Sequence, residues 1–345
     1  MMALHNIGAM LVAMSMAIAA SAQAAPKPLF ASNDTLRLTI RGPIAQVTRS
    51  NVQSRTPRNA VLVVPGASPE THAIQLSPRG LTRLKPDVCQ FPPLRVRFQA
   101  APGPGSVFSG QKTLKLVTHC QAASSFQKHL LLEYTAYRLY NHITPASFRA
   151  RLATIDYVDE ANRPITSRLG FFIEDIDDAA SRNAMRHAVT GDSVPRARLS
   201  PADAARVAMF EYMIGNLDWS VRAGPKGERC CHNSRLIERA TGGNFVPVPY
   251  DFDYSGLVGA PYAVAPDGTS SVRDRRYQGF CAHNAEALAM APMLRSQRGP
   301  LLAVLDQVPL DEPDRRRARA YLDGFFGDIA DDRKAAAKLF KSCLR

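Results

Sequence analysis

The densest group of residues that could do chemistry lies between positions 215 and 255. Gly215-Asn216-Leu217-Asp218-Trp219 follows directly on an apolar helical stretch, and His232-Asn233 comes next. Val246-Pro-Val-Pro-Tyr-Asp251-Phe-Asp253-Tyr-Ser-Gly256 then places two carboxylates at the end of an apolar strand. A strand end can hold a carboxylate rigidly at the lip of a cleft. An Asp from a loop after a helix, an Asn and a strand-end Asp together offer the oxygen-rich surroundings that a hard cation such as Mg²⁺ requires. The same residue types also close turns, which is the plainer reading of Asp253 taken alone. Upstream, Lys115 sits in the strand-like Leu114-Lys-Leu116, and Glu133 lies in the helical segment that follows. A strand Lys and a helix Glu can pair to position phosphates, although most such residues are solvated surface charges.

The elements that must position these groups can be read from periodicity. Alternation marks strands at 35–40, 94–98 and 113–117, and a continuous apolar run marks a buried strand at 60–65. Helical spacing sets in near Ser124 and holds from Phe126 to His142, with Leu130, Leu131, Tyr134, Tyr137, Leu139 and Tyr140 mostly on one broad face. Strand-like stretches follow at 148–157 and 170–174. Ser200-Pro201-Ala202-Asp203 is a helix start, with a cap residue, Pro in the first turn and an acid near the positive end. That helix is expected to run to about Ile214. Segments 234–238 and 245–252 flank Thr241-Gly-Gly-Asn244, which reads as a hairpin turn. From about Asn284 the chain reads as helices. Strands, one helix, more strands and then mostly helices argue for an α+β fold with a β-rich N-terminal lobe and a mostly helical C-terminal lobe.

Composition narrows the setting. The 345 residues carry 43 Lys and Arg against 30 Asp and Glu, a net charge of +13. The basic residues are spread along the chain, with no long Lys/Arg run and no interleaved aromatic pattern, so nucleic acid is not the expected partner. Residues 1–25 hold an apolar stretch, Ile7 to Ala20, ahead of Ala22-Gln23-Ala24, a small-x-small cleavage pattern. They are expected to be a signal peptide, leaving no membrane span after cleavage and a periplasmic or secreted protein. Six cysteines in an exported chain suggest disulfides. Proximity in sequence favours Cys89 with Cys120, and Cys281 with Cys230 or Cys231. The vicinal Cys230-Cys231 are expected to serve two different bridges or to leave one thiol free. No G-x-S-x-G elbow supports a nucleophilic serine.

Strand Lys, helix Glu, loop Asp, Asn and strand-end Asp follow one another in the order used for phosphoryl transfer by protein kinases. Residues 112–256 resemble the CotH kinase family, an atypical kinase group. The resemblance lies in Glu133-Tyr-Thr-Ala-Tyr-Arg-Leu-Tyr140 with Ile143-Thr-Pro145, in Ser167-Arg-Leu-Gly-Phe-Phe-Ile-Glu-Asp175, and in Asn216-Leu-Asp218-Trp219, His232-Asn233 and Pro249-Tyr-Asp-Phe-Asp253. Arg79-Gly80 and Phe91-Pro-Pro-Leu-Arg-Val-Arg-Phe98 resemble the family's N-terminal strands less closely. The resemblance implies a two-lobed atypical kinase-like fold, with a β-rich region at 26–120 and a kinase-like core at 121–345. It implies that Asp218 orients or deprotonates the acceptor hydroxyl, and that Asn233 and Asp251 hold Mg²⁺ or Mn²⁺ on the phosphates of ATP or another nucleotide. Asp253 is the competing metal ligand. Lys115 would contact phosphate and pair with Glu133, with Arg95 or Arg97 as substitutes. The implied activity moves a phosphoryl group to a protein or small hydroxyl acceptor. A non-catalytic envelope module and a metal-dependent phosphohydrolase are the other readings.

Overall fold

The computed structural model describes residues 25–48, 54–239, 243–265 and 267–345. Residues 1–24 of the expected signal segment lie outside them, as do residues 241 and 242 of the 241–244 turn. Seven strands carry the first half: β1 (Leu36–Arg41), β2 (Arg58–Val64), β3 (Glu70–Pro78), β4 (Leu94–Phe98), β5 (Thr113–Val117), β6 (Ala150–Val158) and β7 (Pro164–Ile173). They close into a barrel in the order β1-β2-β3-β4-β5-β7-β6. Closure comes from β1, which pairs antiparallel with β2 and parallel with β6 from Leu36 opposite Ala153 to Arg41 opposite Val158. Alternating side chains, among them Leu38, Ile40, Leu62, Ile74, Leu76, Leu94, Val96, Leu114, Leu116, Ile155 and Phe172, fill the interior. Leu29 and Phe30, from a short turn ahead of β1, join this core.

The helices are α1 (Ile44–Thr48), α2 (Gln127–Ile143), α3 (Ile176–Arg182), α4 (Pro201–Ile214), α5 (Asn284–Ser296), α6 (Arg298–Ala303), α7 (Glu312–Asp328) and α8 (Asp332–Leu339). A small antiparallel sheet in the order β10-β9-β8 is formed by β8 (Arg186–His187), β9 (Ser234–Glu238) and β10 (Val246–Pro249). A second core joins α2, α4 and the C-terminal helices to the other faces of β5, β6 and β7 through Val117, Leu152, Phe171 and Ile173. This is why β6 and β7 read as apolar runs: over part of their length both faces are covered. Among the described residues no helix is long and apolar enough to cross a membrane.

The two-lobed kinase-like fold is therefore corrected. The strands after α2 do not stay with a second lobe. They return to the first five and close a seven-stranded barrel beside eight helices. The parallel β1–β6 pairing joins residues more than a hundred positions apart, which no local pattern announces. The sequence reading also missed β3.

Three disulfides form: Cys89–Cys120, Cys230–Cys231 and Cys281–Cys343. The first was anticipated. Cys281 instead pairs with Cys343, and the vicinal cysteines pair with each other. Such bonds fit an oxidising environment. Cys89–Cys120 ties the loop after β3 to the end of β5, reinforced by the Phe91 amide donating to the Cys120 carbonyl (2.9 Å) and the Thr118 hydroxyl donating to the Phe91 carbonyl (2.7 Å). The bridge closes a 31-residue separation, so replacing both cysteines by Ser is expected to lower stability by about 3–4 kcal/mol, read from denaturant unfolding.

Candidate functional site

The expected residues come from three places in the fold. Helix α4 is capped by Ser200 at its start, with Pro201 in the first turn. It ends at Gly215, whose left-handed conformation (φ 65°) stops it abruptly. A Cβ there would overlap the Tyr321 hydroxyl, so only glycine fits. This stop throws Asn216 and Asp218 out of the helix. The Asn216 side-chain oxygen accepts from the Asp218 amide (3.1 Å), and the Trp219 indole donates to the Asn216 carbonyl (3.1 Å). Behind this turn lies Glu211, fully buried, its carboxyl pushed far above the carboxylate range by desolvation.

The β9–β10 ladder brings up the second group. Ser234 pairs with Pro249, and beyond that rung the Tyr250 amide donates to the Asn233 carbonyl (3.0 Å). Asn233 and Asp251 therefore stand at one end of the same pair of strands. Both have left-handed backbones, φ 49° and 65°, a conformation Asn and Asp tolerate better than most residues and one that recurs at functional sites. The Asp251 amide donates to the hydroxyl of Tyr137 on α2 (3.0 Å).

These residues meet in a cleft of ≈ 360 Å³ that Asp218, His232, Asn233, Asp251 and Asp253 all line. The Asp218 carboxylate is held from two sides. His232 Nε2 lies 2.7 Å from Oδ1, and the Asn233 amide donates to Oδ2 (3.0 Å) and to the Asp218 carbonyl (2.7 Å). The bond to Asp218 raises the His232 pKa above its ordinary value, against the opposing effect of partial burial.

The third contribution is an arginine that the sequence reading did not single out. Arg83, in a short turn between β3 and β4, is buried. Its Nη1 lies 3.0 Å from Glu133 Oε2, its Nη2 2.6 Å from Asp251 Oδ1 and its Nε 3.2 Å from Asp253 Oδ2. Glu133 thus pairs with Arg83, not with Lys115. The Lys115 ammonium lies over the rings of Phe148 and Tyr250, at 5.6 and 5.4 Å, and burial lowers its pKa to about 8. Arg95 and Arg97 project from β4 on its exposed positions. Asp253 is buried and takes a second hydrogen bond from the Tyr262 hydroxyl (3.0 Å). Three carboxylates share one guanidinium, so the cluster is short of positive charge. Burial, against the opposing pull of Arg83 and with a smaller push from the neighbouring carboxylates, raises Glu133 and Asp253 above their ordinary range.

Arg79 and Arg235 also line the cleft. Arg235 stacks on Tyr250 at 5.2 Å. The Arg79 side chain has no hydrogen-bond or ion-pair partner among the described residues, and burial lowers its pKa. No local periodicity could have flagged Arg79 or Arg83, since both sit in an irregular loop whose partners are distant in sequence.

The donor set fits a hard cation. Asp251 keeps about a third of its side chain exposed, and only its Oδ1 is engaged by Arg83. Asn233 spends its amide hydrogens on Asp218, and its side chain lines the cleft. Among the described residues no group of three or more His, Cys, Asp or Glu is arranged to hold a metal. The protein would thus supply few ligands, as Mg²⁺ sites completed by phosphate and water do. No protein-family model matches the chain, and no curated protein matches it.

Two outcomes test this geometry. Arg83→Met leaves buried carboxylates without their counter-ion and is expected to cost about 3–5 kcal/mol in chemical denaturation, whereas Lys115→Met, which removes an uncompensated buried charge, is expected to be neutral or stabilising. Because the folded pKa of His232 is raised, its bond to Asp218 stabilises fully below the unfolded value of about 6.5 and fades as pH rises through the folded value. His232→Gln should therefore lower the melting midpoint more at pH 5.5 than at pH 8.5. The pair is partly exposed, so the loss should stay under about 1 kcal/mol.

Proposed function

We propose that the cleft is a metal-dependent phosphotransferase site that takes a phosphoryl group from a nucleotide, ATP or another, to a hydroxyl on a protein or small molecule. The observation that carries this reading is the convergence of Asp218, Asn233 and Asp251 on one cleft that Arg79 also lines. Asn233 and Asp251 would hold Mg²⁺ or Mn²⁺, which when bound neutralises charge on the phosphate oxygens. Arg79 pairs with a phosphate oxygen, since its guanidinium, like that of Arg235, makes no ion pair with a carboxylate among the described residues. Asp218, fixed by His232 and Asn233, orients the acceptor hydroxyl and accepts its proton as the oxygen forms its bond to phosphorus and the bond to the leaving nucleoside diphosphate breaks. Arg83 touches none of the reacting atoms and acts as a positioning residue that holds Asp251 against α2. The similarity of residues 112–256 to the CotH kinase family supports the roles of Asp218, Asn233 and Asp251, with Arg83 taking the place given to Lys115. The three disulfides support a periplasmic or secreted setting.

Calorimetry with ATP and Mg²⁺ or Mn²⁺ is expected to show metal-dependent binding that Asp251→Ala abolishes and Arg79→Ala weakens by roughly tenfold. Asp218→Asn should bind nucleotide normally and lose transfer by about 10²–10⁴-fold. No nucleotide binding by the folded, disulfide-intact protein would overturn the proposal. Binding without transfer to any acceptor would assign the chain to the non-catalytic modules.

A further inference from the structure

A larger cavity, of ≈ 690 Å³, opens at the C-terminal end of α2 and shares no lining residue with the cleft. Glu133, at the cleft end of α2, and His142, at the cavity, are nine residues apart, about 13 Å along the helix axis. The cavity's size falls in the range typical of small-molecule sites. Arg138, Arg149, Arg182 and His142 line it, and no Asp or Glu does among the described residues.

The charges can be assigned one by one. Arg182 is neutralised: its Nε lies 3.2 Å and its Nη2 2.9 Å from the two oxygens of the buried Glu174. Arg149 and Arg138 have only neutral acceptors. Arg149 donates to the Phe30 carbonyl (3.0 Å), and Arg138 to the Tyr134 hydroxyl (3.2 Å) and the Gln307 side-chain oxygen (2.9 Å). Two guanidiniums therefore face one cavity without an ion pair of their own: Glu174, whose charge also attracts Arg149, is bonded to Arg182 and accepts from the Arg149 backbone amide (3.0 Å). Burial and the neighbouring Arg182 lower the Arg149 pKa, and the attraction of Glu174 only partly opposes them.

We propose that this cavity binds a small phosphate-bearing molecule, with Arg138 and Arg149 as its anchors. A phosphate monoester carries about two negative charges near neutral pH, matching the two guanidiniums without an ion pair, and offers the oxygens that arginine forks bind best. The remaining volume accommodates the organic part. This inference is independent of the activity assigned to the cleft.

The test uses the full chain with Arg79→Ala and Arg235→Ala together, which removes the two cleft guanidiniums that make no ion pair among the described residues, and inorganic phosphate as probe. A saturable rise in melting midpoint with phosphate is expected. Gln307→Glu adds a carboxylate beside Arg138 at an exposed position without removing any arginine, so the fold should survive. Phosphate affinity should fall at least about tenfold, and by a similar factor in Arg138→Gln. No saturable binding in that doubly substituted background, or an affinity unchanged by Gln307→Glu and Arg138→Gln, would overturn the proposal.

Discussion

One buried guanidinium joins the parts of this protein that matter most. Arg83 comes from the loop between two barrel strands, Glu133 from the helix outside the barrel, and Asp251 and Asp253 from the segment leaving the small sheet. A desolvated cation is tolerated only where carboxylates compensate it, and desolvated carboxylates only where a cation does. Each element thus makes the others' burial affordable, and the cleft wall is fixed by the same contacts.

Barrel closure sets the position of that arginine. The loop bearing Arg79 and Arg83 is pinned at one end by β3, at the other by β4, and from the side by the Cys89–Cys120 bridge to the end of β5. Strands β6 and β7 are shared between two cores: their inner residues fill the barrel, while Leu152, Phe171 and Ile173 face α2. The helix that carries Glu133 and Tyr137 is therefore packed against the barrel wall, so the Tyr137 hydroxyl can take the Asp251 amide. The vicinal Cys230–Cys231 pair adjoins His232 and Asn233, and Cys231 lines the cleft with them.

Charge is partitioned along α2. At its cleft end one guanidinium serves three carboxylates. Near its C-terminal end two guanidiniums have none. There the nearby carboxylate, Glu174, is bonded to Arg182, and the Arg138 and Arg149 guanidiniums meet only neutral oxygens, whereas the cleft concentrates the acids around Arg83.

The sequence by itself determined the elements whose signals are local. Strands β4 and β5 lie where alternation placed them, β9 lies where it was read as the flank of a turn, and α4 starts at its Ser-Pro cap and stops at a glycine. The group Asp218, Asn233 and Asp251 was legible because each residue abuts a local signal, a helix stop or a strand end. Tertiary structure alone decided the rest. The parallel β1–β6 contact that closes the barrel, the Cys281–Cys343 bridge and the partner of Glu133 each join residues dozens to more than a hundred positions apart. Lys115 had a suitable charge on a suitable strand, but the packing of Phe148 and Tyr250 holds its ammonium over their rings. Arg83, in an irregular turn with no periodicity to mark it, reached Glu133 because the barrel and its disulfide brought that turn against α2. Local patterns register the preferences of neighbouring residues, while ion pairs between distant segments depend on which surfaces the whole chain buries together.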